Sequence, residues 1–237
     1  MAELHDQLEP LIKKSDTAFR EQLKGKLHVD PSALHMVVLK LLVTKPGAAA
    51  QEVHLDEVKD ANKSWGVLLH CSNSDKSTLV PKDEEHLELL RKLTQKNAQL
   101  NFEELKMALA LKKDKSDGFS SEGVQVGDAL FFRTDVAHYG PVVGATDQER
   151  VILYALFSIE PREEGKDHKD EVQLHPLADL KSHCDNFRAE TKQKQKEHSD
   201  KGHGLTAQGK HEFTQAKTYA TQIKEINNLV TGLHPSA

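Results

Sequence analysis

Two cysteines in 237 residues, Cys71 and Cys184, are too few for a disulfide framework or a four-cysteine zinc site. Their scarcity suits a reducing compartment. Aromatic residues are also scarce, at 5% with a single tryptophan, while 29% of residues are charged. Such a chain builds one compact core and carries charged helical material around it. No stretch approaches the ~18 apolar residues of a transmembrane helix. The N-terminal "MAELHDQLEP" is acidic and polar, without the apolar region of a signal peptide. The C-terminal "LHPSA" matches no lipid-anchor or retrieval signal. The expectation is a cytoplasmic protein with no membrane partner. Cationic excess is missing too. The net charge is −5, so binding to nucleic acid through neutralised phosphates is not expected.

What is present changes character along the chain. Residues 3–27 place Leu8, Leu11, Ile12, Ala18, Phe19 and Leu23 on one helical face, which predicts an N-terminal helix within segment 1–27. "HMVVLKLLVT" is β-branched and aliphatic and stops at Pro46-Gly47, a turn signal. "QEVHLD", "SWGVLLHCS" and "STLVP" read as further short strands. From residue 83 the apolar spacing becomes three and four, through Leu87, Leu90 and Leu93, then Phe102, Leu105 and Leu109. This predicts a helical hairpin, with Asn101 and Glu104 as a capping box. The hairpin and its loop form an insert over 83–117, either a lid, a docking surface or plain elaboration. Strand character returns in "GVQVGDALFFRTDVAHYGPVV" and "RVILYALFSIEP". A very polar helix over 177–200 and an amphipathic one over 206–231 follow a charged linker. The division predicted is a β-rich domain over 28–162 and a charged helical extension over 163–237, packed on it. The fold class is mainly β with α extensions (α+β), an antiparallel barrel or sandwich.

Polar residues stand at three places where an apolar strand residue would be simpler. They are His54-Leu55-Asp56, His138 in "ALFFRTDVAHYGP" and Arg150 in "ERVILYALFS". Residues i and i+2 of a strand share a face, so His54 and Asp56 can point to one interior. Two imidazoles and a carboxylate can cap one face of a divalent metal and leave positions open. A guanidinium nearby forks onto a carboxylate. Taken singly, His54-Asp56 reads as a hydrogen-bonded pair at a strand end, His138 as a loop histidine and Arg150 as a solvated strand start.

Taken in order, "PGAAAQEVHLDE", "GDALFFRTDVAHYGP" and "RVILYALFS" resemble the Fe(II)/2-oxoglutarate-dependent dioxygenases. In that superfamily an H-x-D precedes a distal histidine, with an arginine some ten residues beyond. The resemblance spans residues 30–162 and implies a double-stranded β-helix core of the jelly-roll or cupin-like type. It implies Fe(II) held by His54, Asp56 and His138 as catalytic and metal-binding residues, with Arg150 binding the distal carboxylate of 2-oxoglutarate. It also implies O2 as co-substrate and a hydroxylase-type oxidation yielding succinate and CO2. Ile152 stands where one large branch has the serine of an R-x-S pattern, and no motif names the substrate, a small molecule or a protein side chain. Two alternatives use the same residues: an interaction protein on a retained oxygenase scaffold, and a cupin-like metalloprotein that takes no oxoglutarate. The helical extensions could serve a homo-oligomer or a protein partner.

Thr78, Trp65, Gln51 and Tyr139 are further pocket candidates, each read first as a core or rim residue. His70-Cys71 reads as a strand end facing a loop. Cys184 with His183, and His198, His203 and His211, fit no metal pattern.

Overall fold

A computed structural model describes residues 33–56, 63–95, 98–159, 174–202 and 207–233. The N-terminal helix expected over 3–27 and the linker after residue 162 lie outside these residues. The described strands and helices in chain order are β1 (His35–Thr44), β2 (Ser64–His70), β3 (Val80–Pro81), α1 (Glu84–Leu93), α2 (Phe102–Lys113), β4 (Phe119–Ser120), β5 (Ala129–Arg133), β6 (Arg150–Ser158), α3 (Leu180–Lys201) and α4 (Ala207–Thr231).

Strand β6 organises the larger sheet. It is rich in β-branched and aromatic residues and lies between β1 and β2, antiparallel to both. The four-stranded order is β1-β6-β2-β5. Side chains alternate across it. Ile152, Tyr154 and Leu156 pack inward with Val38, Leu68 and Phe132. Ala155 and Phe157 pack outward with Leu34, Trp65 and Val67. The register then fixes the inner face row by row. Val38, Leu156, Gly66 and Phe132 form one row, and Lys40, Tyr154, Leu68 and Leu130 the next. Gly66 has a packing role. A Cβ there would stand 2.5 Å from the tip of the Phe132 ring, so the ring occupies the space the glycine leaves open.

A second layer faces this sheet, made of short runs rather than long strands. His54 bridges His138, Leu79 bridges Tyr139, Leu55 bridges Leu174, and β3 pairs with β4. Hydrogen bonds from Gly47 N to Val143 O and from Gln51 N to Gly140 O extend the pairing of the two histidine-bearing runs. The strands expected in "QEVHLD" and "STLVP" are thus single bridges and a two-residue β3. Pro46, Pro81 and Pro141 and the polar turns interrupt any longer ladder. Antiparallel sheets with four helices among the described residues agree with the expected α+β class.

The helices cover the far side of the second layer. Asp83 caps α1 by accepting from His86 N, and Asn101 with Glu104 forms the expected capping box at α2. Leu90, Leu105, Ala108 and Leu111 of this hairpin share one core with Val53, Leu55, Ala137, Tyr139, Cys184 and Ile226. Insert and C-terminal helices therefore bury each other against the backs of the histidine-bearing runs. No helix of the described residues is long and apolar enough to cross a membrane.

Candidate metal centre

Between the two layers lies a cavity of about 930 Å³. His54, Asp56, His138 and Arg150 all line it, so the four residues singled out by spacing converge. Thr78 and Gln51 join them. No residue of α1 or α2 lines it. Trp65 belongs to the outer face of the sheet, and Tyr139 turns into the helical core with its ring edge-on to Phe119 at 5.1 Å. Tyr139 follows His138 directly, and neighbouring residues of an extended run face opposite ways.

The two histidines are a directly opposed antiparallel pair with rings 4.5 Å apart. Each ring is oriented from behind by a carbonyl two residues upstream. His54 Nδ1 lies 2.8 Å from Glu52 O, and His138 Nδ1 lies 3.0 Å from Val136 O. A carbonyl only accepts, so each Nδ1 carries the proton and each Nε2 presents a lone pair. Both Nε2 atoms face Asp56 Oδ1, at 3.6 Å from His54 and 3.5 Å from His138. These separations exceed a hydrogen bond. The simple reading of His54-Asp56 as a hydrogen-bonded strand-end pair therefore does not hold. Asp56 sits in a bend just past the bridge, and its Oδ2 accepts from Tyr154 OH at 3.0 Å.

Three acceptors thus converge, all within 4.8 Å of one another. Only a cation relieves that arrangement, either a proton or a metal. The proton is disfavoured at His54. Burial, then the His138 charge, hold its pKa below the ordinary 6.5, against the opposing pull of the Glu52 carbonyl and Asp56. A metal fits. Two donors each ~2.1 Å from one ion stand at most ~4.2 Å apart, and the 3.5 and 3.6 Å separations fall inside that limit. Neutral imidazole Nε2 atoms and one carboxylate suit a first-row divalent ion with open positions.

The surroundings hold these three side chains in place. Phe132, lying over Gly66, packs against the His138 ring at 4.6 Å. Asp135, three residues before His138, pairs with Arg133 at 2.7 Å and Arg91 at 3.2 Å, which ties the loop to α1. Lys115 reaches Gln51 O at 3.1 Å and Glu52 at 3.2 Å, steadying the run before His54.

Arg150 is 6% exposed, and its Nη2 donates to Thr78 Oγ1 at 2.7 Å. Its Nε is buried without a partner, and no carboxylate of the described residues pairs with it. Burial lowers its pKa to about 10, which leaves it charged at neutral pH. An uncompensated buried cation on a cavity wall calls for an anion from outside. Gly140 permits its approach. A Cβ there would lie 3.2 Å from Arg150 Nη1 and 2.7 Å from Gln51 Oε1, which instead accepts from Gly140 N at 2.8 Å.

Three residues lining this cavity, Tyr154, Lys40 and His175, are not among those singled out from the sequence. Tyr154 was signalled by register, since it shares the inner face of β6 with Arg150. Lys40 lines the cavity and is the lone charge in an apolar strand, a signal in itself. His175 lines it too, with its ring 6.4 Å from His54, but nothing local in the sequence marks it. His70 ends β2 and faces the 120–128 segment, as expected of a strand end, but it is 1% exposed, inside the molecule. Cys71 beside it is exposed, and Cys184 is a core residue. His198 pairs with Glu212 and its ring lies 5.5 Å from that of Tyr219, joining α3 to α4.

No family model and no curated protein sequence matches the chain. Solved structures do. AviO1 from Streptomyces viridochromogenes is 15% identical with TM-score 0.40, covering 57% of this chain and 59% of its own. HygX from Streptomyces hygroscopicus, with nickel and 2-oxoglutarate bound, is 14% identical with TM-score 0.36, covering 53% and 56%. The non-haem alpha-ketoglutarate-dependent epimerase SnoN from nogalamycin biosynthesis is 14% identical with TM-score 0.36, covering 52% and 46%. This chain spans about half the length of these three proteins. Residue roles are not transferable at such identities, and those given to His54, Asp56, His138 and Arg150 stand on their own geometry. The solved structures to which this chain is distantly similar include non-haem, 2-oxoglutarate-binding proteins.

Proposed function

We propose that the protein is an Fe(II)- and 2-oxoglutarate-dependent oxygenase, with its two β layers as the halves of a double-stranded β-helix. The observation that carries this is one cavity holding three convergent metal-type acceptors and a buried guanidinium without a carboxylate. A metal site alone would suit a simple cupin-like metalloprotein. The buried cation adds a reason for a dicarboxylic co-substrate.

His54 and His138 would bind the iron through Nε2, and Asp56 through Oδ1. Tyr154 would hold Asp56 Oδ2 and keep that carboxylate monodentate. Arg150 and Thr78 would bind the distal carboxylate of 2-oxoglutarate, each charged hydrogen bond contributing about 1.5–3 kcal/mol. Leu68 and Ile152 line the same space and would exclude water from the reacting atoms. When bound, Fe(II) with O2 would supply the oxidation, a hydroxylation or related reaction, as 2-oxoglutarate becomes succinate and CO2. The protein contributes orientation and electrostatics. The substrate is a small molecule or a protein side chain admitted past β1, whose Leu41, Leu42 and Val43 form the exposed rim.

The test is 2-oxoglutarate turnover with Fe(II) in the parent and in His138→Ala. The variant should lose both stoichiometric metal and turnover. A variant that decarboxylates 2-oxoglutarate as fast as the parent would show the ligand assignment to be wrong.

A further inference from the structure

His70 ends β2 and has no place in the scheme above. Its side chain is buried, and neither ring nitrogen has a partner. Leaving two polar atoms orphaned in a core is costly unless something else meets them. The sheet register says what lies beside it. His70 is opposite Ile152, so Arg150, two residues along β6, is its diagonal neighbour on the same inner face. Diagonal partners of this kind are ~7–8 Å apart at the backbone, within reach of long side chains. Arg150 also has an orphaned buried atom, Nε.

Thr78 joins the two. Its hydroxyl accepts from Arg150 Nη2, and the residue lines both the main cavity and a second one of about 480 Å³. His70 lines that second cavity, with Ser77, Ser120, Glu122 and Asp128. Asp128 makes no hydrogen bond to the imidazole. Its Oδ2 accepts from Gln125 N at 2.8 Å, in the turn before β5. Burial, then the Arg150 charge, hold the His70 pKa below 6.5, so the ring is neutral at neutral pH with one N–H to donate.

We propose that His70 is a second anchor for the distal carboxylate of the 2-oxo acid, donating to one oxygen while Arg150 and Thr78 hold the other. This rests on the oxoglutarate assignment to Arg150. It makes His70 a specificity residue: anchors on adjacent strands favour a dicarboxylic 2-oxo acid over one with no distal charge.

The experiment is calorimetric titration of the Mn(II)-loaded protein, without oxygen, with 2-oxoglutarate and with pyruvate, which lacks the distal carboxylate. Parent, His70→Leu, His70→Gln and Arg150→Ala are compared. His70→Leu should bind 2-oxoglutarate about tenfold more weakly and pyruvate as the parent does. His70→Gln keeps a donor and should stay within about threefold of the parent. His70→Leu should melt no lower than the parent, since an apolar side chain replaces an orphaned imidazole. His70→Phe, which keeps a ring without a donor, repeats the test if the leucine variant does not fold. Unchanged 2-oxoglutarate binding in His70→Leu, with binding lost in Arg150→Ala, overturns the role of His70 and leaves that of Arg150. Equal weakening for both ligands also overturns it, since that is the mark of a structural residue. Unchanged binding in Arg150→Ala overturns the oxoglutarate assignment itself.

Discussion

His54 and His138 exchange both of their main-chain hydrogen bonds, His54 N to His138 O at 3.0 Å and His138 N to His54 O at 2.9 Å. Direct opposition puts the two imidazoles on one face of the pair. A slip of one residue in either run would turn one ring into the helical core, where Tyr139 now sits. The register is held on the Gly47 side by Gly47 N to Val143 O and Gln51 N to Gly140 O. The candidate metal site is therefore a property of strand pairing before it is a property of side chains.

Tyr154 reaches from the large sheet to Asp56 in the second layer and donates a hydrogen bond to that carboxylate's Oδ2. Removing an outer partner of a ligand typically costs 10–100-fold in metal affinity. Tyr154→Phe should thus bind Mn(II) or Co(II) about tenfold or more weakly while keeping the parent fold. Competition with a calibrated chelator measures the affinity, and circular dichroism checks the fold. An unchanged affinity would mean that Asp56 is oriented without the tyrosine.

Gly66→Ala tests the support behind His138. The added Cβ would meet three Phe132 ring atoms at 2.5–3.0 Å, and an aromatic ring on a packed inner face has little room to retreat. Overpacking of this kind costs about 1–3 kcal/mol. Because the same ring backs His138, metal affinity should fall along with the melting temperature. The double variant Gly66→Ala/Phe132→Leu should recover part of the stability but not the full affinity, as the His138 ring loses its neighbour. Full recovery of both would separate Phe132 from the site.

The sequence made the site more legible than the fold. His54, Asp56, His138 and Arg150 could be picked out because each breaks an apolar pattern. The three-four spacing of α1 and α2, with their caps, was equally plain. The second layer was harder to read. Its runs are held by single bridges, so the two-residue alternation that marks a strand has no length over which to show. "QEVHLD" looked like a strand because Val53 and Leu55 are apolar; they are apolar because they pack on Leu90 and Leu105, not because a ladder continues. His70 is the strand end that a histidine before Cys-Ser-Asn-Ser suggests, but its burial is not legible there. Its burial comes from the inner-face register with Ile152, a pairing across more than 80 residues that no local pattern reveals.

Asn101→Ala serves as a contrast. It removes the acceptor for Glu104 N, at 2.9 Å, in the capping box of α2. A lost cap costs about 1 kcal/mol, so chemical denaturation should register that loss. The helix packs on the far side of the second layer and lends no residue to the cavity. Mn(II) and 2-oxoglutarate affinities should therefore match the parent's. A fall in either would mean that α2 supports the site through the core it shares with Val53 and Leu55.

His70 also gives a pH dependence whose sign can be fixed. Its folded pKa lies below the ordinary 6.5, first through burial and then through the Arg150 charge, while nearby Asp128 opposes the shift. Above pH 6.5 the imidazole is neutral in both folded and unfolded chains and contributes no pH dependence. As pH falls through 6.5, the unfolded chain takes up a proton that the folded one refuses, so stability drops until the folded pKa is reached. His70→Leu deletes this term and leaves the other titrating groups in place. Melting both proteins without metal at about pH 7.5 and 5.5 should show the variant gaining on the parent at the lower pH. A constant difference between the two would mean that the imidazole takes up its proton inside the fold, and that an acidic neighbour, Glu122 or Asp128, compensates it there.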